Sequence, residues 1–161
     1  FLGPVDLYAG LSAKNVENAW QFAKVYPQHV DINGDPTQDY WLWATKGWDD
    51  SYAHRYPMGK GKIPLYSYWN KEKLSYIEAR KRIYIPLYAT AVRKTLAFQE
   101  LFNLFSQGKD IYLQDFDAYN HKKMGMSYLD VVNLESRKMG HAFVLAMMLE
   151  KVLTDDGILL N

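Results

Sequence analysis

The stretch Val16-Glu17-Asn18-Ala19-Trp20-Gln21-Phe22-Ala23-Lys24 decides how this chain is read. It follows the turn Ala9-Gly10-Leu11, and Ser12 or Asn15 can cap a helix there. Val16, Ala19, Trp20 and Ala23 then recur at the three-and-four spacing of a helix face. On such a helix Glu17, Gln21 and Lys24 fall at i, i+4 and i+7, so a carboxylate, an amide and an ammonium share one side. Pro27 ends the pattern.

Working outward, Val30-Asp31-Ile32-Asn33-Gly34-Asp35-Pro36 reads as a turn, because Gly supplies positive φ and Asn and Asp accept local hydrogen bonds. Its first, third and fifth positions resemble a calcium loop. Such a loop needs Gly at position six and Glu at twelve, where this chain has Pro36 and Leu42, so the calcium reading fails. A helix is expected over 37–47, then a long irregular loop over 48–62 containing Pro57, Gly59 and Gly61. Loops of that length are often functional. A short strand is expected over 65–69 and a long helical region over 71–107, interrupted at Pro86 and stopped by Gly108. Alternation predicts a further strand over 110–114, and an apolar stripe predicts a last helix over 139–153. The fold class is mainly α (α+β): one helical domain over 1–161 with a few short strands.

Composition narrows the function. The 161 residues suit one domain, since domains cluster at roughly 100–150 residues. The absence of Cys excludes a disulfide framework, thiolate zinc sites and thiol nucleophiles. A net charge of +1 argues against a dedicated duplex-DNA binder. No apolar run approaches the roughly 18 residues that span a bilayer, so a cytoplasmic protein is expected. Thirteen Tyr, seven Phe and five Trp suit either a wet aromatic core or a pocket that stacks planar ligands.

The four His residues show no His-x-x-x-His pairing, and no P-loop, dinucleotide fingerprint or Gly-x-Ser-x-Gly elbow occurs. No metal or cofactor is expected. Gly59-Lys60-Gly61-Lys62 is a solvated basic loop that can also hold a phosphate. Tyr76-Ile77-Glu78-Ala79-Arg80-Lys81-Arg82-Ile83-Tyr84 places Glu78 and Arg82 one turn apart. Tyr112-Leu113-Gln114-Asp115-Phe116-Asp117-Ala118-Tyr119-Asn120-His121 sets two carboxylates just beyond the expected strand, a common place for site residues.

Read together, these stretches resemble the NADAR family, which has the YbiA-like fold. VENAWQFAK is similar to that family's helix signature, roughly Val-Glu-His-x-x-Gln-x-x-Lys, and SYIEARKRIYIPLY and IYLQDFD look like blocks of a related bacterial and phage branch. The chain departs from the pattern at Asn18, where the family has His, and in lacking a Ser-Asn-Phe segment before the helix. The resemblance implies an N-glycosidase that cleaves the bond between a base nitrogen and C1 of a ribose phosphate or ADP-ribose. It implies Glu17 as the helix carboxylate, Lys24 as the helix lysine and Asp117, or else Asp115, as the late acidic residue. Trp48 would pack on the leaving base, in competition with Trp20 and Trp69.

The residue chemistry is consistent with that activity. Positive charge builds on the sugar as the bond breaks, so an ionised carboxylate near C1 stabilises the transition state, and a second group handles protons. Gln21, Lys24, Trp48, Lys60, Lys62, Arg80 and Tyr119 are the expected substrate-binding set. The expected partner is a small-molecule nucleotide or an ADP-ribosylated base, with nucleic acid carrying that base also admissible and no membrane partner. Two other readings stand beside the enzyme: a module that sequesters a nucleotide without turning it over, and a phage-type interaction protein that grips a partner through Tyr and Trp.

Overall fold

The computed structural model describes residues 2–160. It is an α+β structure, 42% helix with two small antiparallel sheets, so helix dominates as the spacing of apolar residues implies. The chain divides into two compact units, Phe1–Ala79 and Arg80–Asn161.

In the first unit, Asn15 caps α1 (Val16–Gln21), its side chain accepting from the Asn18 N–H at 2.8 Å. This is the commonest way to satisfy an orphan donor at a helix start. Before it, β1 (Val5–Asp6) and β2 (Ser12–Ala13) form a small antiparallel ladder. The helix stops at Gln21, earlier than the spacing implies, because the chain leaves it to form β3 (Lys24–Val25). That strand pairs antiparallel with β4 (Tyr66–Trp69), and β4 pairs with β5 (Glu72–Leu74). The expected strand at 65–69 therefore forms, but residues 72–74 are strand and not helix. Asn70 and Lys71 both take positive φ and make the two-residue hairpin turn. The helix expected from 71 begins as α3 (Tyr76–Ala79), where Ser75 and Glu78 bond each other's backbone N–H groups.

The helix expected over 37–47 is α2 (Gln38–Trp48), which packs against α1. Gly47 is required there: a Cβ at that position would run into the Phe22 ring. Many of the aromatic residues are spent in this core. Phe22, Tyr26 and His29 surround Trp43 at centroid distances of 4.6, 6.1 and 5.0 Å, and the Tyr40 hydroxyl donates to the Phe22 carbonyl at 3.0 Å.

In the second unit, Arg80–Tyr84 forms a π-helical turn that runs into α4 (Ile85–Arg93). Pro86 does not end the helical run; it is the second residue of α4, directly after the π-helical turn, where the regular α-helical ladder is already broken. The break comes instead at Lys94 and Thr95, and Thr95 caps α5 (Leu96–Ser106) by accepting from the Phe98 N–H. The segment 110–114 is not a strand: its residues alternate, but among the described residues they have no partner strand. A helix the spacing did not announce, α6 (Tyr128–Asn133), starts at a reciprocal Ser127–Asp130 capping box. The last helix, α7 (His141–Leu149), packs on α4, with Val144, Met147 and Met148 buried.

Arg80 is 2% exposed. Its guanidinium donates to the carbonyls of Val131, Val132, Leu134 and Arg137 at 2.9–3.3 Å. It thus satisfies carbonyls at the end of α6, which a helix leaves without internal partners.

Candidate functional site

Glu17, Gln21 and Lys24 come together in the first unit, although not on one helix. The Gln21 Nε2 donates to the Glu17 Oε1 at 3.0 Å, one turn along α1. Lys24, on β3, turns its Nζ back to the Gln21 Oε1 at 2.9 Å. The amide is thereby polarised at both ends, its carbonyl by an ammonium and its N–H by a carboxylate, which strengthens both bonds. The Lys24 Nζ also lies 4.9 Å from the Trp20 ring centroid, and Tyr76 lies 6.4 Å from Trp20. The outcome is a half-buried carboxylate of fixed orientation, backed by a cation and bordered by two rings.

The buried side of the same helix holds the loop that follows α2. Asn18 is fully buried. Its Nδ2 donates to the carbonyls of Asp50 and Tyr52 at 3.0 and 2.8 Å, while its Oδ1 accepts from the His54 N–H at 2.8 Å. Asn15 adds a bond from its Nδ2 to the Ser51 carbonyl at 3.3 Å. Asn18 therefore acts as a loop anchor. Within that loop the His54 Nε2 meets the Asp50 Oδ2 at 2.7 Å, and the Tyr52 N–H donates to the Asp50 Oδ1 at 2.9 Å. These two bonds hold the Asp50 carboxyl below the usual carboxylate range.

The remaining expected residues are distributed as follows. Trp48 is 1% exposed, a core side chain with no ring face open to a ligand. Lys60 and Lys62 lie exposed in the loop after α2. Arg80, Asp115, Asp117 and Tyr119 belong to the second unit, where the guanidinium of Arg80 is taken up by backbone carbonyls.

The Asp115 Oδ2 accepts from the Ala142 N–H at 2.8 Å, at the start of α7, and its Oδ1 accepts from the Asp117 N–H at 2.9 Å. A negative group is favoured at that helix end. Gly140 leaves room for it, since a Cβ there would run into the carboxylate. Burial, and the Asp115 charge after it, push the Tyr88 hydroxyl up to about 12. Asp117 is half-buried in the same loop. The Arg137 guanidinium covers the Tyr119 ring at 3.8 Å, and Phe143 meets that ring edge-on at 4.8 Å. Tyr112, Gln114, Tyr119, His121 and Phe143 help line a cavity of about 520 Å³ in this unit. Burial, with Lys122 adding to it and Glu150 opposing, lowers the His121 imidazole below its ordinary value.

The Asp50–His54 pair is the arrangement that reading the sequence missed. Its signal is Asp-x-x-x-His inside a loop, a spacing that draws notice only between two metal ligands or on a helix. Among the described residues no group of three or more carboxylates and imidazoles converges on a metal position, and no helix is long and apolar enough to cross a membrane. No family model, curated protein or solved structure matches the chain.

Proposed function

We propose that this chain is an N-glycosidase-like hydrolase of YbiA-like fold, cleaving a base–ribose bond in an ADP-ribose or ribose-phosphate adduct. The observation that carries the reading is the Glu17–Gln21–Lys24 ladder. A carboxylate held in one orientation by an amide, itself held by an ammonium, is preorganised to face positive charge that develops at a sugar C1. Preorganisation matters because the carboxylate then need not move as the charge appears. Trp20 and Tyr76 supply aromatic faces close to the ladder, of the kind that hold a nucleobase or a ribose.

The test is a product assay. The parent chain and Glu17→Gln are each incubated with ADP-ribosylated guanosine, ADP-ribose and NAD, with products separated by chromatography and identified by mass. The expected result is release of free ADP-ribose or nicotinamide by the parent, reduced by at least about 100-fold in Glu17→Gln. Equal turnover by both proteins would remove Glu17 from the chemistry. The aromatic cavity of the second unit supports one other reading, a module that binds a nucleotide without turnover. Saturable binding of one of these compounds with no product would favour it.

A further inference from the structure

Glycoside cleavage needs two groups, one to face the sugar cation and one to move protons. Within the first unit the ladder supplies the first. The second is absent from α1, whose other polar side chains, Asn15 and Asn18, are amides bonded to the backbone.

From the loop that these amides anchor, we propose that His54, oriented by Asp50, is the proton-transfer residue of the same reaction; the inference rests on the glycosidase reading above. Three observations carry it. The Asp50 Oδ2 lies 2.7 Å from the His54 Nε2. A carboxylate is an acceptor only, so it selects a ring proton on Nε2, and in the neutral imidazole Nδ1 is then the nitrogen that can accept a proton. This is the orienting role a carboxylate plays behind a catalytic imidazole. Next, the ring is held on other sides as well, edge-on to Phe22 at 5.8 Å and against Tyr52 at 5.0 Å, yet the side chain is 34% exposed. It is fixed and still reachable.

Last, the backbone N–H of His54 is bonded to Asn18, the residue next to Glu17. A loop tied to Asn15 and Asn18 cannot drift from the turn of α1 that carries the carboxylate. Lys46 on α2 acts on Asp50, and the pair is flanked in the chain by Asp49, which meets Lys14 at 3.7 Å, and by Arg55.

The step balances as follows. The C1–N bond breaks with its electron pair passing to the leaving nitrogen, and a water oxygen then bonds to C1. The water proton passes to the His54 Nδ1. The leaving nitrogen takes up one proton, from the imidazolium or from solvent, so the net change is addition of one water. Glu17 stabilises the cation between bond breaking and bond making.

The experiment measures kcat and KM of the full chain over pH 5–9 on ADP-ribosylated guanosine, for the parent, His54→Gln and Asp50→Asn. His54→Gln keeps an amide able to bond Asp50, so the loop is retained; thermal melts verify this. The expected result is a fall in kcat of about 100-fold or more with KM nearly unchanged, and loss of the acidic limb of the pH profile. Asp50→Asn lowers kcat less. Added imidazole restores part of the rate in His54→Gly, which a merely structural side chain would not allow. Parent-like kcat and pH profile in His54→Gln, with Glu17→Gln inactive, would overturn the inference and leave the glycosidase reading standing. No turnover by the parent would overturn both.

Discussion

In the first unit three buried amides form a chain: Asn15 bonds Asn18, Asn18 bonds three backbone positions of a loop, and Gln21 bonds Glu17 and Lys24. In the second unit one cation, Arg80, serves four carbonyls. The contrast teaches how each arrangement fails. A chain of amides loses one link at a time, and its outer links remain half-exposed, where a substrate can meet them. A buried guanidinium works as one block, because removing it takes a donor from all four carbonyls at once.

The largest effect is therefore expected from Arg80→Met, a loss of about 3 kcal/mol of stability measured by denaturant unfolding. Arg80→Lys should recover little of it, since a point ammonium lacks the planar fork that reaches several acceptors. Full recovery by Lys would break the comparison. Asn18→Ala comes next, at about 2 kcal/mol, since it leaves two carbonyls and one N–H of the loop without that partner. It should also slow any turnover that depends on His54, although Glu17 is untouched. An unchanged rate would show that the loop needs no anchor.

The smallest effect is the pH dependence. Burial lowers the imidazoles of both His29 and His121 below their ordinary value; at His29 the Asp39 charge opposes this, and at His121 Lys122 adds to it. A lowered folded value means that the fold binds the proton less well than the unfolded chain. The stabilisation is then fully present above about pH 6.5 and lost as pH falls through the folded values. Denaturation midpoints should thus fall between pH 7 and pH 5, with both rings titrating below 6.5 by NMR. A midpoint that rises on acidification would contradict the sign.

How much of this was legible in the sequence depends on whether the deciding interaction is local. The start of α1 is readable because Asn15 and Asn18 are three residues apart. The end of α1 is not, because Lys24 is drawn off the helix by Ser67, its partner across a sheet more than 40 residues away. Residues 110–114 fail in the opposite way: they alternate as a strand does, but among the described residues no strand pairs with them and Tyr112 is 98% exposed. Asn70-Lys71 lacks the glycine that would have announced a hairpin turn.

In the candidate site, the grouping of Glu17, Gln21 and Lys24 was legible from spacing, even though one of the three sits on a strand. Trp48 and Arg80 were not, since indole and guanidinium serve a core or a ligand equally well, and only burial separates the two uses. His54 was hidden for a further reason: its partner is four residues away in a loop, and only the amides of α1 give that loop a shape.

The π-helical turn at Arg80–Tyr84 has a consequence for how this segment can vary in length. Hydrogen bonds in such a turn span five residues in place of four, so Arg80 and Ile85, five apart, share the buried side that Ala89 and Val92 continue. Deleting one residue between them would leave them four apart, and on an ordinary helix that spacing still shares a side. Straightening the turn to an ordinary helix with all its residues kept would instead swing Arg80 about 140° off that side, away from the carbonyls at the end of α6. The segment is therefore expected to tolerate loss of one residue better than loss of the π-helical turn itself.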